Sequence, residues 1–175
     1  EDGSYWVVGA DEVVQSWDMA FKDLDDIDYV CGQVWARYGL KAYLIDQVRG
    51  RLSFVETRKA VRRLSAKWPQ ASAKYVEDKA NGTAVNNSLN QTVAGLIPIE
   101  PEGSKYARAA AVSPFIEAGQ IVLPSPEVAP WVGAFVEEAS SFPNGANDDQ
   151  VDTMSQAINR LLLAPLLDGS LVLEA

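Results

Sequence analysis

The chain has no histidine among its 175 residues. That absence removes Ser-His-Asp and Cys-His catalysis in their usual forms, and zinc sites that use imidazole. It has a single cysteine, Cys31, so an internal disulfide is excluded and a reducing, intracellular setting fits. With so few nitrogen and sulfur ligands, a bound metal has to be held by oxygen, which points to Mg²⁺, Mn²⁺ or Ca²⁺. No apolar run reaches membrane-spanning length and no signal peptide is visible, so no membrane partner is expected. A G-x-x-x-x-G-K-[ST] phosphate loop is missing, as are internal repeats and low-complexity segments.

Positive charge is also scarce. Fifteen Lys and Arg stand against 24 Asp and Glu, a net charge of −9. Such a balance argues against a non-specific nucleic-acid coat protein. It does not exclude an enzyme acting on nucleic acid, whose site needs carboxylates for metals. The apolar share of 47% and charged share of 22% are those of an ordinary globular protein. The length suits one domain, residues 1–175, with a core of about 13–163. The chain begins Glu1-Asp2-Gly3 without Met, which is expected of a piece cut from a longer protein.

Organisation centres on Val13–Asp18, a β-branched and aromatic run read as a central strand. Alternation puts Val14, Ser16 and Asp18 on one face and Val13, Gln15 and Trp17 on the other. Upstream, Tyr5–Val8 could add an edge strand; downstream, Met19–Asp28 is an acid-dense loop. Tyr29–Arg37 and Lys41–Val48 read as a hairpin turned at Tyr38-Gly39-Leu40 and closed by Arg49-Gly50-Arg51. Ser53 and Glu56 form a capping box for a helix to about Trp68, with Phe54, Val61, Leu64 and Trp68 inward. Its other face, with Arg58, Lys59, Arg62, Arg63 and Lys67, is a solvated face or a weak phosphate contact.

Ala73–Asp78 is the next strand, and Asn81-Gly82-Thr83 turns into a short helix bearing Val85, Leu89 and Val93. Leu96–Ile99 is a short strand. Ser104 caps a helix that Pro114 is expected to kink or split. Gln120–Leu123 is a brief strand, and Val128–Ser140 an amphipathic helix with Val128, Trp131, Val132, Phe135 and Val136 inward. Asn147 caps a last helix from Asp148 to about Leu163, its stripe Val151, Met154, Ile158 and Leu161; Leu166–Ala175 is a tail. The pattern is a mixed α/β chain.

Ligands in such sheets gather at strand ends. Asp18 and Asp78 both end predicted strands, and Asp148 and Asp149 open a helix. Each alone is most simply a turn residue or a helix-dipole partner. Converged, they form an all-oxygen metal site, because carboxylates so close repel without cations. Two hard cations about 4 Å apart could activate a water and stabilise a leaving 3′-oxygen. Alternation lets one of Glu77 and Asp78 face the site, and the choice stays open. On an ideal helix Asp148 and Asp152 lie nearest the buried stripe, and Asp149 points further away.

A set of motifs appears in order: Ser16-Trp17-Asp18-Met19-Ala20-Phe21, Val48-Arg49-Gly50-Arg51, Val76-Glu77-Asp78-Lys79-Ala80-Asn81-Gly82, Pro101-Glu102-Gly103-Ser104-Lys105, and Phe142-Pro143-Asn144-Gly145-Ala146-Asn147-Asp148-Asp149-Gln150-Val151-Asp152. Together they closely resemble the C-terminal nuclease domain of the large terminase subunit of tailed bacteriophages and prophages, over roughly Val13 to Leu163. The resemblance implies an RNase H-like fold, a central mixed sheet flanked by helices. It also implies an endonuclease that cuts concatemeric viral DNA during genome packaging with two Mg²⁺ or Mn²⁺ ions.

By that pattern Asp18, Asp78 and Asp149 are the catalytic carboxylates and Asp148 a further metal ligand. Glu77 is the rival to Asp78, and Asp152 a supporting candidate. Some related terminases have a His before the acidic pair; Asn147 stands there, which puts a His-assisted step in doubt. Lys105 and Arg108 are candidates for the DNA backbone. Implied partners are double-stranded DNA, an N-terminal packaging ATPase domain, the small terminase subunit and the portal; the implied location is the cytoplasm of the bacterial host. The net charge predicts weak DNA binding unless those partners hold the substrate. The rival readings are another RNase H-like nuclease, of resolvase or transposase type, and a non-catalytic portal-docking module.

Overall fold

The computed structural model describes residues 7–19, 29–77, 89 and 93–164. Its strands are β1 (Glu12–Met19), β2 (Tyr29–Tyr38), β3 (Lys41–Arg51), β4 (Ala73–Glu77), β5 (Leu96–Ile99) and β6 (Ile121–Val122), ordered β5-β4-β1-β2-β3-β6. The expected central strand is therefore inside the sheet, antiparallel to β2 and parallel to β4. β5 runs parallel to β4, and β6 parallel to β3. The C-terminal ends of β1, β3, β4 and β5 consequently share one edge.

Among the described residues the helices are α1 (Phe54–Lys67), α2 (Lys105–Glu117), α3 (Val132–Ser141) and α4 (Asp149–Ile158), which runs on into a π-helical turn, Asn159–Leu163. Helix α1 covers one face: Val61, Leu64 and Trp68 share an apolar cluster with Val13, Trp17, Val34 and Val76. Helices α2, α3 and α4 cover the other, where Val112, Phe135, Val151, Met154 and Ile158 cluster with Val14, Trp35 and Leu44. Alternation along β1 thus feeds two cores, and both faces of the sheet are covered.

Local chemistry fixes most boundaries. The β2–β3 hairpin turns on Gly39, whose φ of +57° suits glycine and relieves strain that a side chain would add. Gly32 lies against the indole of the fully buried Trp17, so closely that a Cβ there would overlap the ring. The Ser53–Glu56 capping box is present.

Several expectations are corrected. Strand β3 does not close at Val48 but continues through Arg49 to Arg51, paired with β2 along its length. β4 ends at Glu77, and Asp78 lies outside the described residues. So do Tyr5, the acid-dense loop 20–28 and the tail from 165. Of the predicted helix after Asn81, only Leu89 and Val93 are described, both buried. Residues 7–11 are turn and bend rather than strand.

Pro114 neither splits nor ends α2. It lacks the N–H that would reach Ala110 O, and Ser113 Oγ donates to that carbonyl instead, at 3.0 Å. Helix α3 starts at Val132 rather than Val128, because Pro130 disfavours helical backbone at Ala129. Val128, before the helix, and Val136, on its outer side, are exposed, not inward. Phe54 is also more exposed than its place in the predicted stripe implied.

Candidate metal centre

Register decides which acids meet. Trp17 pairs with Val76 and Ser16 with Tyr75, so the next residues, Asp18 and Glu77, share the face of Ser16 and Tyr75. That face lies under α4. Val76 belongs to the cluster on the opposite side, and Asp78 has its parity. Across β1 the row continues through Cys31, opposite Asp18, to Arg49, opposite Cys31.

Helix α4 supplies the third acid. One carboxylate oxygen each from Asp18, Glu77 and Asp152 lie within 4.8 Å of one another, and all three residues are buried. The helix is pinned over the sheet by Ser16, whose hydroxyl donates to Thr153 O at 2.8 Å and accepts from Gln156 Nε2 at 2.9 Å. This holds Asp152, on the adjacent turn of α4, above the ends of β1 and β4.

Cations answer the clustered charge. Arg108 Nη2 is 3.0 Å from Asp152 Oδ1 and 3.7 Å from Glu77 Oε1. Lys105 Nζ is 2.7 Å from Asp148 Oδ1 and 2.8 Å from Asp152 Oδ2. Burial lowers the Lys105 proton affinity, but the Asp148 and Asp152 carboxylates outweigh it and hold the ammonium above the usual lysine range. The two residues expected at the DNA backbone are thus engaged by acids of the site. A cleft of about 170 Å³ opens beside them, lined by Glu77, Arg108, Asp152, Gln156, Asn159 and Arg160 among others.

The expected helix ligands stand apart from this triad. Asp148 is the N-cap of α4, displacing Asn147 from that role, and makes no side-chain cap bond. Its carboxylate pairs with Lys105. Asp149 is gripped by Arg49, with Nε at 2.7 Å from Oδ2 and Nη2 at 2.8 Å from Oδ1. Arg49 Nη2 also lies 3.0 Å from Glu138 Oε2, and its guanidinium sits 4.1 Å from the centre of the Tyr29 ring. Ideal helix geometry pointed to Asp152 over Asp149, and the structure places Asp152 with the strand acids.

Sequence reading missed Arg49 and Glu138. A signal existed for the second: Glu138 is three residues after Phe135 and four before Phe142, on the inward face of α3. Cys31 is fully buried beside the acids. Burial pushes its thiol well up; a hydrogen bond with Thr153 opposes this, and the charges of Asp149, Asp18 and Glu138 add to the rise.

The donor set suits a hard divalent cation: three carboxylates, no imidazole, no thiolate. Asp152 Oδ2 is buried and lies 2.8 Å from the Lys105 ammonium, so a cation bound there would compete with Lys105 for that oxygen.

The sequence profile of the terminase RNaseH-like domain matches residues 15–161. The chain belongs to this family. No curated protein sequence matches it. Among solved structures, the large terminase nuclease from thermophilic phage G20c is 16% identical, with 85% of this chain and 82% of that one covered and a TM-score of 0.65. The same nuclease with bound magnesium gives 0.60 over 88% and 86% at 16% identity, and it has also been solved with zinc and with cobalt. The large terminase from a second thermophilic bacteriophage is 12% identical with a TM-score of 0.68, over 87% of this chain but 40% of that one. The terminase domain thus has the RNase H-like fold that its motifs implied, a mixed sheet between helices.

Proposed function

We propose that this terminase domain is a divalent-metal-dependent endonuclease that cuts concatemeric viral DNA during genome packaging. The observation that carries this reading is the meeting of Asp18, Glu77 and Asp152 from three distant segments. Family membership supplies the substrate, double-stranded DNA. Two Mg²⁺ or Mn²⁺ ions held there would supply water activation and stabilisation of the leaving 3′-oxygen. Asp18 sits between the strand acid Glu77 and the side of Asp149, so it is the carboxylate suited to serve both ions. Asp152 and Glu77 would hold one ion; Asp149 and Asp148, once released by Arg49 and Lys105, would hold the other, with Asp78 retained as a ligand by the family pattern. Lys105 and Arg108 neutralise the clustered acids and, where cations took over that role, would be placed to meet phosphate oxygens.

In the virus, the domain works in the host cytoplasm as part of a longer large subunit. Its partners there are the packaging ATPase domain, the small terminase subunit and the portal. The chain spans 40% of the second phage's large terminase, which supports the longer large subunit, while the small subunit and portal follow from the family resemblance.

Mn²⁺ titration calorimetry together with plasmid nicking tests the assignment. Wild type is expected to bind Mn²⁺ and nick. Asp152→Asn is expected to lose both, while Asp149→Asn, which vacates the Arg49 pair, loses less. A wild type that neither binds Mn²⁺ nor cuts would reduce the domain to a docking module; preference for four-way junctions would make it a resolvase.

A further inference from the structure

Glu138 belongs to α3, yet its carboxylate closes the start of α4. The first amides of a helix have no partner within it and are normally served by the side chain of the N-cap. Asp148 does not serve them. Instead Glu138 Oε1 accepts from Gln150 N at 2.7 Å and Val151 N at 3.2 Å, the positions an N-cap would serve. Oε2 accepts from Gln150 Nε2 at 2.7 Å and from Arg49 Nη2 at 3.0 Å. The side chain is 6% exposed, and its negative charge faces the positive end of the helix dipole.

Asp152 is the residue after Val151. It rides on the turn whose amides Glu138 holds, and Asp152 N makes the first bond of the helix, to Asp148 O at 2.9 Å. Helix ends fray when their amides are open, and fraying here would free Asp152 from its place opposite Asp18 and Glu77. Gln150 extends the anchorage into the sheet: Gln47 Nε2 donates to its Oε1 at 2.9 Å, and Gln33 Nε2 to Gln47 Oε1 at 2.9 Å.

We infer that Glu138 is a positioning residue of the metal centre, a cap supplied from a neighbouring helix that fixes where Asp152 meets the two strand acids. Its carboxylate is taken up by Gln150, Val151 and Arg49. The inference rests on the metal reading above. Groups that orient metal ligands from outside are worth about 10- to 100-fold in metal affinity, and Glu138→Ala is expected to weaken Mn²⁺ binding by that factor. Glu138→Gln keeps an oxygen for the two amides and is expected to lose much less.

The experiment is Mn²⁺ titration calorimetry with thermal melts on wild type, both Glu138 variants and Leu64→Ala. The last destabilises from the far side of the sheet and should leave metal affinity unchanged. Wild-type affinity in Glu138→Ala, or equal losses in the Ala and Gln variants, overturns the inference. If Glu138→Ala gives no cooperative melt, Glu138→Gln decides by amide exchange. Protected Gln150 and Val151 amides with near wild-type affinity support the cap, and protected amides with a loss of about tenfold overturn it. Wild type that takes up no Mn²⁺ sinks the metal reading itself, a different failure from a metal site indifferent to Glu138.

Discussion

On one face of β1, Val13 and Trp17 join Val61, Leu64 and Trp68 in an apolar cluster, with Gln15 accepting hydrogen bonds from Trp17 and Ser65. On the other, Ser16 and Asp18 lie under α4 amid Glu77, Asp152, Arg49 and a run of buried glutamines. The first face holds by removing apolar surface from water, a force without direction. The second adds directed bonds, each of which needs a partner at a set place. Both faces bury apolar clusters, but only the second also keeps carboxylates close together that would otherwise drive themselves apart.

That difference can be tested from either side. The largest effect is expected from Asp18→Asn, which should abolish Mn²⁺-dependent nicking while the melting temperature stays level or rises, since one charge leaves a like-charged cluster. Nicking assays and thermal melts on one preparation check it, and a large fall in melting temperature would make Asp18 a structural residue. Leu64→Ala should do the reverse, costing about 3 kcal/mol of stability in a denaturant titration with Mn²⁺ affinity kept.

The smallest effect sharpens the picture at the start of α1. There the Ser53 hydroxyl and backbone amide hold the Glu56 carboxyl below the usual glutamate range. A lowered folded-state value gives stability that is present above the unfolded value and lost as pH falls through the folded one. Wild type should therefore lose a small increment on acidification that Glu56→Gln lacks. Melts from neutral pH downward should show the two curves converging below about pH 4.

Much of this was legible because it was local. The capping box, the glycine hairpin and the Ser104 cap each rest on residues a few positions apart, and each is present in the fold. The site was legible as a set of acidic element ends but not as a list of ligands. Seeing that Glu77 faces Asp18 requires the parallel register of β1 against β4, a relation between distant segments that alternation within either strand cannot supply. The nearness of Asp152 to the strand acids follows helical periodicity, whereas motif analogy points to Asp149. Arg49 reads as a residue closing a strand, and only pairing with β2 beyond Val48 carries its alternation to the site. Glu138 hid because a glutamate in an amphipathic helix ordinarily faces water.

The three carboxylates come from residues 18, 77 and 152, and Ser16 bonds to Thr153 across 137 positions of the chain. A ribosome must therefore deliver nearly the whole domain before the three carboxylates can meet, and fragments released early carry no complete acid set.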